Sequence, residues 1–593
     1  MCGFCGEVRF DDQEIDVAAV ARMTAAMQAR GPDGTGLVRQ QGMALGHRRL
    51  RIIDLSDQAQ QPMVDAHLGL TVAFNGAIYN YAELRAELEA AGHRFFSKGD
   101  TEFIIKAYAE WGERCVERFN GMFAFAIFER DSHKLFLARD RLGIKPLYLA
   151  PIPGGLRFAS TLPALVQGGG IDTDIDPIGL HHYMTLHAVV PAPHTILKGV
   201  KKLEPATTLT VDRHGERQLR RYWDVAFETP AEQRNTSEEE WQKRALGSVR
   251  RAVARRTVAD VPVGVLLSGG FDSSLIVGLL AELDRGPIET FSIGFEAVDD
   301  QEGDEFHYSD LIAKHYRTRH HKIFIDSSRA LPNLLPCIRA MSEPMVSHDV
   351  IGFYLLSQEV QKHVKVVQSG QGADEIFAGY RWYPPLLASQ DADSVRAYKS
   401  FFFDRDHSAY AQAVDDRFVQ EDFTTAFVRQ HFARPGAPRT IDRALRIDST
   451  VMLVDDPVKR VDNMTMAFGL EARVPFLDHE VVECAAAIPA ELKAIGGGKH
   501  VLKEAARAVI PAAVIDRPKG SFPVPALVYL RGKYLELCQD AVTSRAARER
   551  ALFKPEYVDL LVREPGKHIT PMTVAELWQI ALLEIWLQEH VGG

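Results

Sequence analysis

No stretch of this sequence reaches the roughly 18 consecutive apolar residues that a membrane-spanning helix needs, and no basic segment followed by an apolar run opens it. A soluble, unexported, cytoplasmic protein is the expectation. Cysteine is scarce: six residues, at 2, 5, 115, 337, 484 and 538, too few and too scattered for a disulfide scaffold, so reduced thiols are expected. An excess of positive charge is also missing. The formal net charge of -10 disfavours a protein that tracks phosphates along a nucleic acid. Neither nucleic acid nor a membrane is an expected partner. The Walker pattern G-x-x-x-x-G-K-[ST] is absent as well. What is present is an ordinary globular composition, 46% hydrophobic and 25% charged. At 593 residues the chain exceeds what one core supports, about 250 to 300 residues, so two domains, or three, are expected.

The opening MCGFCGEV sets Cys2 and Cys5 in a C-x-x-C spacing. A structural zinc needs a second such pair, which is missing, and a thioredoxin-type redox pair should follow a strand rather than precede the first apolar alternation. A third reading has its own mechanism. Removal of Met1 before a small residue leaves Cys2 with an α-amine, pKa about 7.7 to 8.0, beside its own thiol, so nucleophile and base share one residue. A small buried cysteine near the terminus explains the opening equally well.

The next hundred positions supply companions. In FNGAIYN, Asn75-Gly76 follows the apolar run LTVAF, where a strand is expected to give way to a turn, and a side-chain amide and a backbone N-H there can meet one oxyanion. The α-carboxylate and α-ammonium of a glutamine substrate call for an arginine and an acid, and Arg49 and Asp100 are available. Each has a plain alternative: a hairpin turn, a surface arginine, and a cap for a helix starting at Thr101. Together and in order, MCGFCGEV, RGPDG, GHRRLRIIDLS, QPM, FNGAIYN, GDTE, GMFAFAIFE and RDRLGIKPLY resemble the glutaminase domain of the class II glutamine amidotransferases. The resemblance implies a four-layer αββα sandwich of the N-terminal nucleophile hydrolase type. By it Cys2 is the nucleophile, Asn75 and Gly76 form the oxyanion hole, and Arg49 and Asp100 hold the glutamine head group. The family's usual N-G-E reads Asn75-Gly76-Ala77 here, so one carboxylate is missing. Locally, GMFAFAIF and LFLA read as the strands of a hairpin joined by ERDSHK.

Past residue 210 the polar segment ETPAEQRNTSEEE reads as a linker. The domains are placed at 2–215 and 236–593. After the linker, VPVGVLLSGGFDSSLIVGLLAEL reads as strand, loop and helix, a phosphate cradle with hydroxyl donors at Ser268, Ser273 and Ser274. Buried runs IETFSIGF, HHKIFI and VKVVQSGQGADEIF, separated by helical patterns, suggest a parallel sheet with ligands at the strand carboxyl ends. There Ser369 and Gly370 can meet a nucleotide, and Asp272 with Asp374 can hold Mg2+. SGGFDSS resembles the PP-loop of ATP pyrophosphatases. With SGQGADE, GLEARVPFLD and DRPKGSFPVP, nearly the whole chain resembles the glutamine-dependent asparagine synthetases. That resemblance implies an α/β PP-loop domain with a parallel sheet, ATP and Mg2+ as cofactors, and a carbon-nitrogen ligase that adenylates a carboxylate and displaces AMP with glutamine-derived ammonia. It also implies Leu267 and Ile293 at the adenine, Ser268, Gly269, Gly270, Asp272, Ser273 and Ser274 around the phosphates, and Lys519 at the adenylate.

The acceptor is less plain. Where aspartate-amidating enzymes commonly read S-G-E-G-S-D-E, this chain has Gln371, which can neither act as a base nor pair with an ammonium. An acceptor with a blocked amine needs neither. With Ala77 and the PAPHTILKGVKKL stretch, this makes the chain resemble enzymes that amidate N-acetylglutaminylglutamine, an osmolyte dipeptide; aspartate is the alternative acceptor. Glutamine, ATP and a small carboxylate are the expected partners, and the assembly, a homodimer among the options, is left open. The charged clusters FFFDRDHS and RFVQEDF read as solvated helical faces without a role.

Overall fold

The computed structural model describes residues 2–295, 305–518, 520 and 530–592. The first half contains strands β1 (Gly3–Arg9), β2 (Gly34–Gln40), β3 (Met43–Arg49), β4 (Met63–Asp65), β5 (Leu70–Ile78), β6 (Gly121–Glu129), β7 (Leu135–Arg139), β8 (Tyr148–Ile152), β9 (Gly155–Ala159), β10 (Lys201–Lys202), β11 (Thr207–Val211) and β12 (Arg217–Arg221). They form two six-stranded sheets, ordered β10-β8-β9-β1-β3-β2 and β12-β11-β7-β6-β5-β4. The strand period of two explains the layering. Along β6, Ala124, Ala126 and Phe128 face the other sheet with Phe4 and Val8 of β1, whereas Phe123, Phe125 and Ile127 pack with Phe103 and Ile104 of the helix Asp100–Trp111. On the far side, Cys5 of β1 packs with Val20 and Met23 of the helix Val17–Ala26. Helix, sheet, sheet, helix is thus the order of layers, and the β6-β7 hairpin is in place.

Three local expectations are corrected. Asn75 and Gly76 lie inside β5, paired with Ala124 and Phe123 of β6, and not in a turn. Pairing continues because Gly76 lacks a Cβ: with φ at +154°, a methyl group there would sit 2.1 Å from the Met122 carbonyl oxygen. Asp100 begins its helix and does not cap it; Gly99 is the cap residue. Asp404 and Arg405 of the FFFDRDHS cluster are buried, since Arg405 donates to the Met184 carbonyl at 2.7 Å.

The second half is built on β13 (Val263–Leu266), β14 (Glu289–Phe295), β15 (Arg319–Ile325), β16 (Val366–Gln368) and β17 (Glu471–Arg473), all parallel in the order β15-β14-β13-β16-β17. The helix Phe271–Ala281 follows β13 directly and is buried on most sides. No helix among the described residues is long and apolar enough to cross a membrane.

Buried charges join the halves. Asp462 accepts from Arg30 at 2.9 Å and Lys145 at 3.4 Å, and Arg30 also donates to the Cys2 carbonyl at 3.3 Å. Lys202 meets Asp455 at 2.7 Å and Glu343 at 3.0 Å. Burial alone would raise the Asp462 carboxyl, but Arg30 and Lys145 hold it below the usual range. Removing one member of such a group leaves the others charged, buried and unpaired. Asp462→Ala is therefore expected to cost about 3–5 kcal/mol of stability, read as a lowered denaturant midpoint, whereas Asp57→Ala at an exposed pair changes it by less than about 1 kcal/mol.

Candidate active sites

The first site gathers at the ends of β1, β3 and β5. Cys2, Arg49, Gly76, Asp100, Glu471 and Arg473 line one pocket of about 30 Å³, room for roughly one water, so a larger ligand enters only if the walls move. The Cys2 backbone N-H donates to Asn75 Oδ1 at 3.1 Å. Asn75 is fully buried, and its Nδ2 has no hydrogen-bond partner among the described residues. A buried donor without an acceptor is costly unless a ligand supplies one. Burial pushes the Cys2 thiol up from its ordinary value, so it needs a base to react. Cys5 is no partner for it: its thiol sits in the core, 3.3 Å from Thr24 Oγ1, and burial raises its pKa to about 12.

Arg49 is aimed by the loop after β3, where its guanidinium donates to the carbonyls of Asp54 and of Ser56, the latter at 2.8 Å. Asp100 accepts from the Ile78 N-H at 3.1 Å, and burial raises its carboxyl to about 7. Glu471 differs. Burial would raise it, but cationic neighbours, Arg473 and Lys145 among them, bring it down to about 2. Arg473 donates to Glu471 Oε1 at 2.6 Å and to the carbonyls of Arg256 and Val258 at 2.9 and 2.7 Å.

The second site lies at the carboxyl ends of the parallel strands, a cavity of about 320 Å³. Its lining includes Leu267, Ser268, Gly270, Asp272 and Ser273 from the loop after β13, Ile293 from β14, and Ser369, Gly370, Gln371 and Asp374 after β16. Gly269 and Ser274 belong to the loop without lining the cavity; Gly269 takes φ +78° and lies so close to Ser309 that a Cβ would be 2.8 Å from its nitrogen. The Gly270 N-H donates to Ser268 Oγ at 3.2 Å, and Ser273 Oγ to the Gly270 carbonyl at 3.2 Å, which fixes the loop over the start of the helix. Ser274 Oγ is buried without a partner among the described residues. Lys519 lies outside the described residues.

Asp272 and Asp374 do converge. Between them stands buried Lys499, 2.7 Å from Asp272 Oδ2 and 2.9 Å from Asp374 Oδ1. Burial would lower this lysine, but the two carboxylates raise it above its ordinary value. Gly379 makes the approach possible, since a Cβ there would fall 2.3 Å from Lys499 Cε. Two acidic oxygens already arranged around one cation suit a hard divalent ion. Sequence reasoning missed Lys499, Glu471 and Arg473. A lysine after three glycines looks solvated, and charged residues in a short strand look peripheral; only the motif GLEARVPFLD offered a signal.

The pockets share a strand. Glu471 and Arg473 of β17 line the first; β17 pairs with β16 so that Gln368 faces Arg473, and the Ser369 N-H donates to the Arg473 carbonyl at 2.8 Å. Ser369 lines the second.

Asp100 generates a pH dependence. Its carboxyl is neutral below about 7, and a neutral acid does not attract an ammonium. An amino-acid ligand whose ammonium pairs with Asp100 should therefore bind more weakly as pH falls from 8 to 5.5, approaching about tenfold per pH unit, read as its KM or dissociation constant. Asp100→Asn should raise KM at pH 8 and flatten the profile.

Comparison with known proteins adds the following. Residues 1–223 match the glutamine amidotransferase domain family, and residues 245–588 the asparagine synthase family. The chain is 30% identical to asparagine synthetase [glutamine-hydrolyzing] 1 of Bacillus subtilis, over 99% of this chain and 96% of that protein. It is 30% identical to asparagine synthetase [glutamine-hydrolyzing] 3 of the same organism, over 88% of this chain and 87% of the relative. With asparagine synthetase B [glutamine-hydrolyzing] of Escherichia coli the identity is 27%, over 88% and 82%.

Proposed function

Because the chain belongs to the glutamine-hydrolysing asparagine synthetase family, we propose that it amidates a carboxylate whose neighbouring amine is blocked, with N-acetylglutaminylglutamine as the acceptor. The class of activity is a glutamine-hydrolysing, ATP-dependent amide ligase. In this reading residues 2–215 form the glutaminase domain and 236–593 the synthetase domain.

Removal of Met1 turns the Cys2 nitrogen into an amine. That nitrogen already donates to Asn75 Oδ1, which orients it and leaves its lone pair to take the thiol proton. The thiolate attacks the side-chain amide of glutamine, and the oxyanion accepts from Asn75 Nδ2, the buried donor without a partner among the described residues, and from the backbone at Gly76. Ammonia leaves with the proton and a water hydrolyses the thioester to glutamate. Arg49 holds the substrate carboxylate and Asp100 its ammonium; with Ala77 in the wall, Asp100 and Glu471 are the carboxylates lining this pocket.

At the second site the loop from Ser268 to Ser274 holds the phosphates of ATP, with Leu267 and Ile293 beside the base and Ser369 and Gly370 closing the pocket. Asp272 and Asp374 would hold Mg2+, which supplies positive charge to the phosphates when bound. The acceptor carboxylate attacks the α-phosphate, pyrophosphate leaves, and ammonia displaces AMP. Lys519 is assigned to the adenylate by family likeness.

One observation carries the acceptor. The carboxylates lining the pocket each have a cation: Asp272 and Asp374 share Lys499, and Asp349 lies 3.0 Å from Arg460. Gln371 adds no charge, so an aspartate ammonium would find no carboxylate left to it among these residues. An acylated amine avoids that cost.

Three experiments test this. Mass spectrometry should find the mature chain starting at Cys2, and Cys2→Ser should lower glutamine-dependent amide formation by about 10³-fold or more while ammonium-dependent formation persists; undiminished glutamine use would refute the nucleophile. With ATP, glutamine and equal amounts of both acceptors, amidated N-acetylglutaminylglutamine is the expected product. Amidated aspartate without it overturns the acceptor and leaves the ligase class standing.

A further inference from the structure

The segments FFFDRDHS and RFVQEDF, which the ligase chemistry does not use, meet a histidine from the other half of the chain. His181, on the helix Pro177–Thr185, is fully buried. Its Nε2 lies 3.0 Å from His407 Nδ1, at the start of the helix His407–Ala413, and 3.9 Å from Asp422 Oδ1, the residue capping the helix Phe423–Ala433. All three donor atoms fall within 4.8 Å of one another.

Proton accounting makes this more than a polar contact. His181 Nδ1 is 2.8 Å and His182 Nδ1 3.0 Å from the same hydroxyl, Thr424 Oγ1. That hydroxyl has one hydrogen, so it can donate to one ring and must accept from the other. When His181 Nδ1-H donates to it, Nε2 is a bare lone pair facing a second imidazole nitrogen and a carboxylate oxygen. One proton on His407 Nδ1 joins the two rings and leaves the carboxylate facing a lone pair. A single divalent cation satisfies all three atoms. Around a tetrahedral zinc with bonds of about 2.0–2.2 Å, ligand atoms stand about 3.3–3.6 Å apart, and the observed 3.0 and 3.9 Å bracket that spacing.

The surroundings resemble the support such a site requires. Thr424 fixes the His181 ring through its other nitrogen, the outer contact that sets tautomer and orientation in metal-bound histidines. The Tyr410 ring packs at 4.4 Å and Phe423 at 5.9 Å, shielding one side from water. Asp422 accepts from the Thr425 N-H at 3.0 Å, and Lys399 stands 3.8 Å from its other oxygen.

We propose that His181, His407 and Asp422 form a site for a divalent transition metal of the zinc class, with water in the fourth position, that clasps the two halves of the chain together. The donor set of two imidazoles and one carboxylate selects zinc-like ions over Mg2+ or Ca2+. Its position, on one helix within the match to the amidotransferase family and two elements within the match to the asparagine synthase family, lets one ion tie the two halves of the chain together. It takes no part in the ligase chemistry.

The test uses the full-length protein without a histidine tag. It is incubated with Zn2+, passed over a desalting column and assayed for metal by mass spectrometry, and the Co2+-loaded form is examined for the visible absorption of four-coordinate cobalt. Wild type should retain one equivalent of zinc and show the cobalt bands. His407→Ala with Asp422→Asn should lose both while keeping its circular dichroism and glutaminase activity. Thr424→Val should weaken binding by about 10- to 100-fold. Substoichiometric zinc in wild type overturns the proposal, and so does zinc retained equally by the double variant.

Discussion

The hydrogen bond from the Ser369 N-H to the Arg473 carbonyl is where the two pockets meet. It closes the pairing of β16 with β17, and β17 is only Glu471–Arg473 long. On one side of this short strand stands the pocket that holds Cys2; at the end of its neighbour lies the cavity of the serine-rich loop. Alternation along the strand brings Glu471 and Arg473 to the same side. The Arg473 guanidinium is fully buried and anchored to Glu471 and to two carbonyls of the segment before β13. A shift of this strand therefore moves walls of both pockets at once.

Buried charge is handled in the same way throughout the protein. Arg30 and Lys145 surround Asp462, Lys202 lies between Glu343 and Asp455, and Lys499 lies between Asp272 and Asp374. In the first two groups the cations come from one half and the acids from the other, so those charges are neutralised only when the halves are docked correctly. Replacing such groups with apolar ones need not destabilise a protein, but separating them does. The arrangement thus specifies one relative placement of the two halves, which a pair of sites sharing one strand requires.

Asn75 shows how one side chain serves two needs. Its carbonyl oxygen holds the Cys2 nitrogen, and its amide nitrogen is left buried without a partner among the described residues. A buried donor of this kind is a local cost. It is tolerated because the amide is clamped between paired strands, where Gly76 permits β6 to approach. Lys499 is the counterpart in the second site, holding two acids together.

The sequence by itself determined the periodic features: the β6-β7 hairpin, the parallel runs of the second half, the glycine- and serine-rich loop, and Cys2 with Asn75, Arg49 and Asp100 as companions. Each is legible because it rests on local spacing or on a motif whose residues are contiguous. The tertiary structure alone decided that Asn75 and Gly76 sit within a strand, that Glu471 and Arg473 wall a pocket hundreds of residues from their partners, that Lys499 bridges two acids, and that His181 meets His407 and Asp422. A charged residue in a local window looks solvated. Whether it is buried depends on which opposite charge the fold brings to it, and that pairing is non-local.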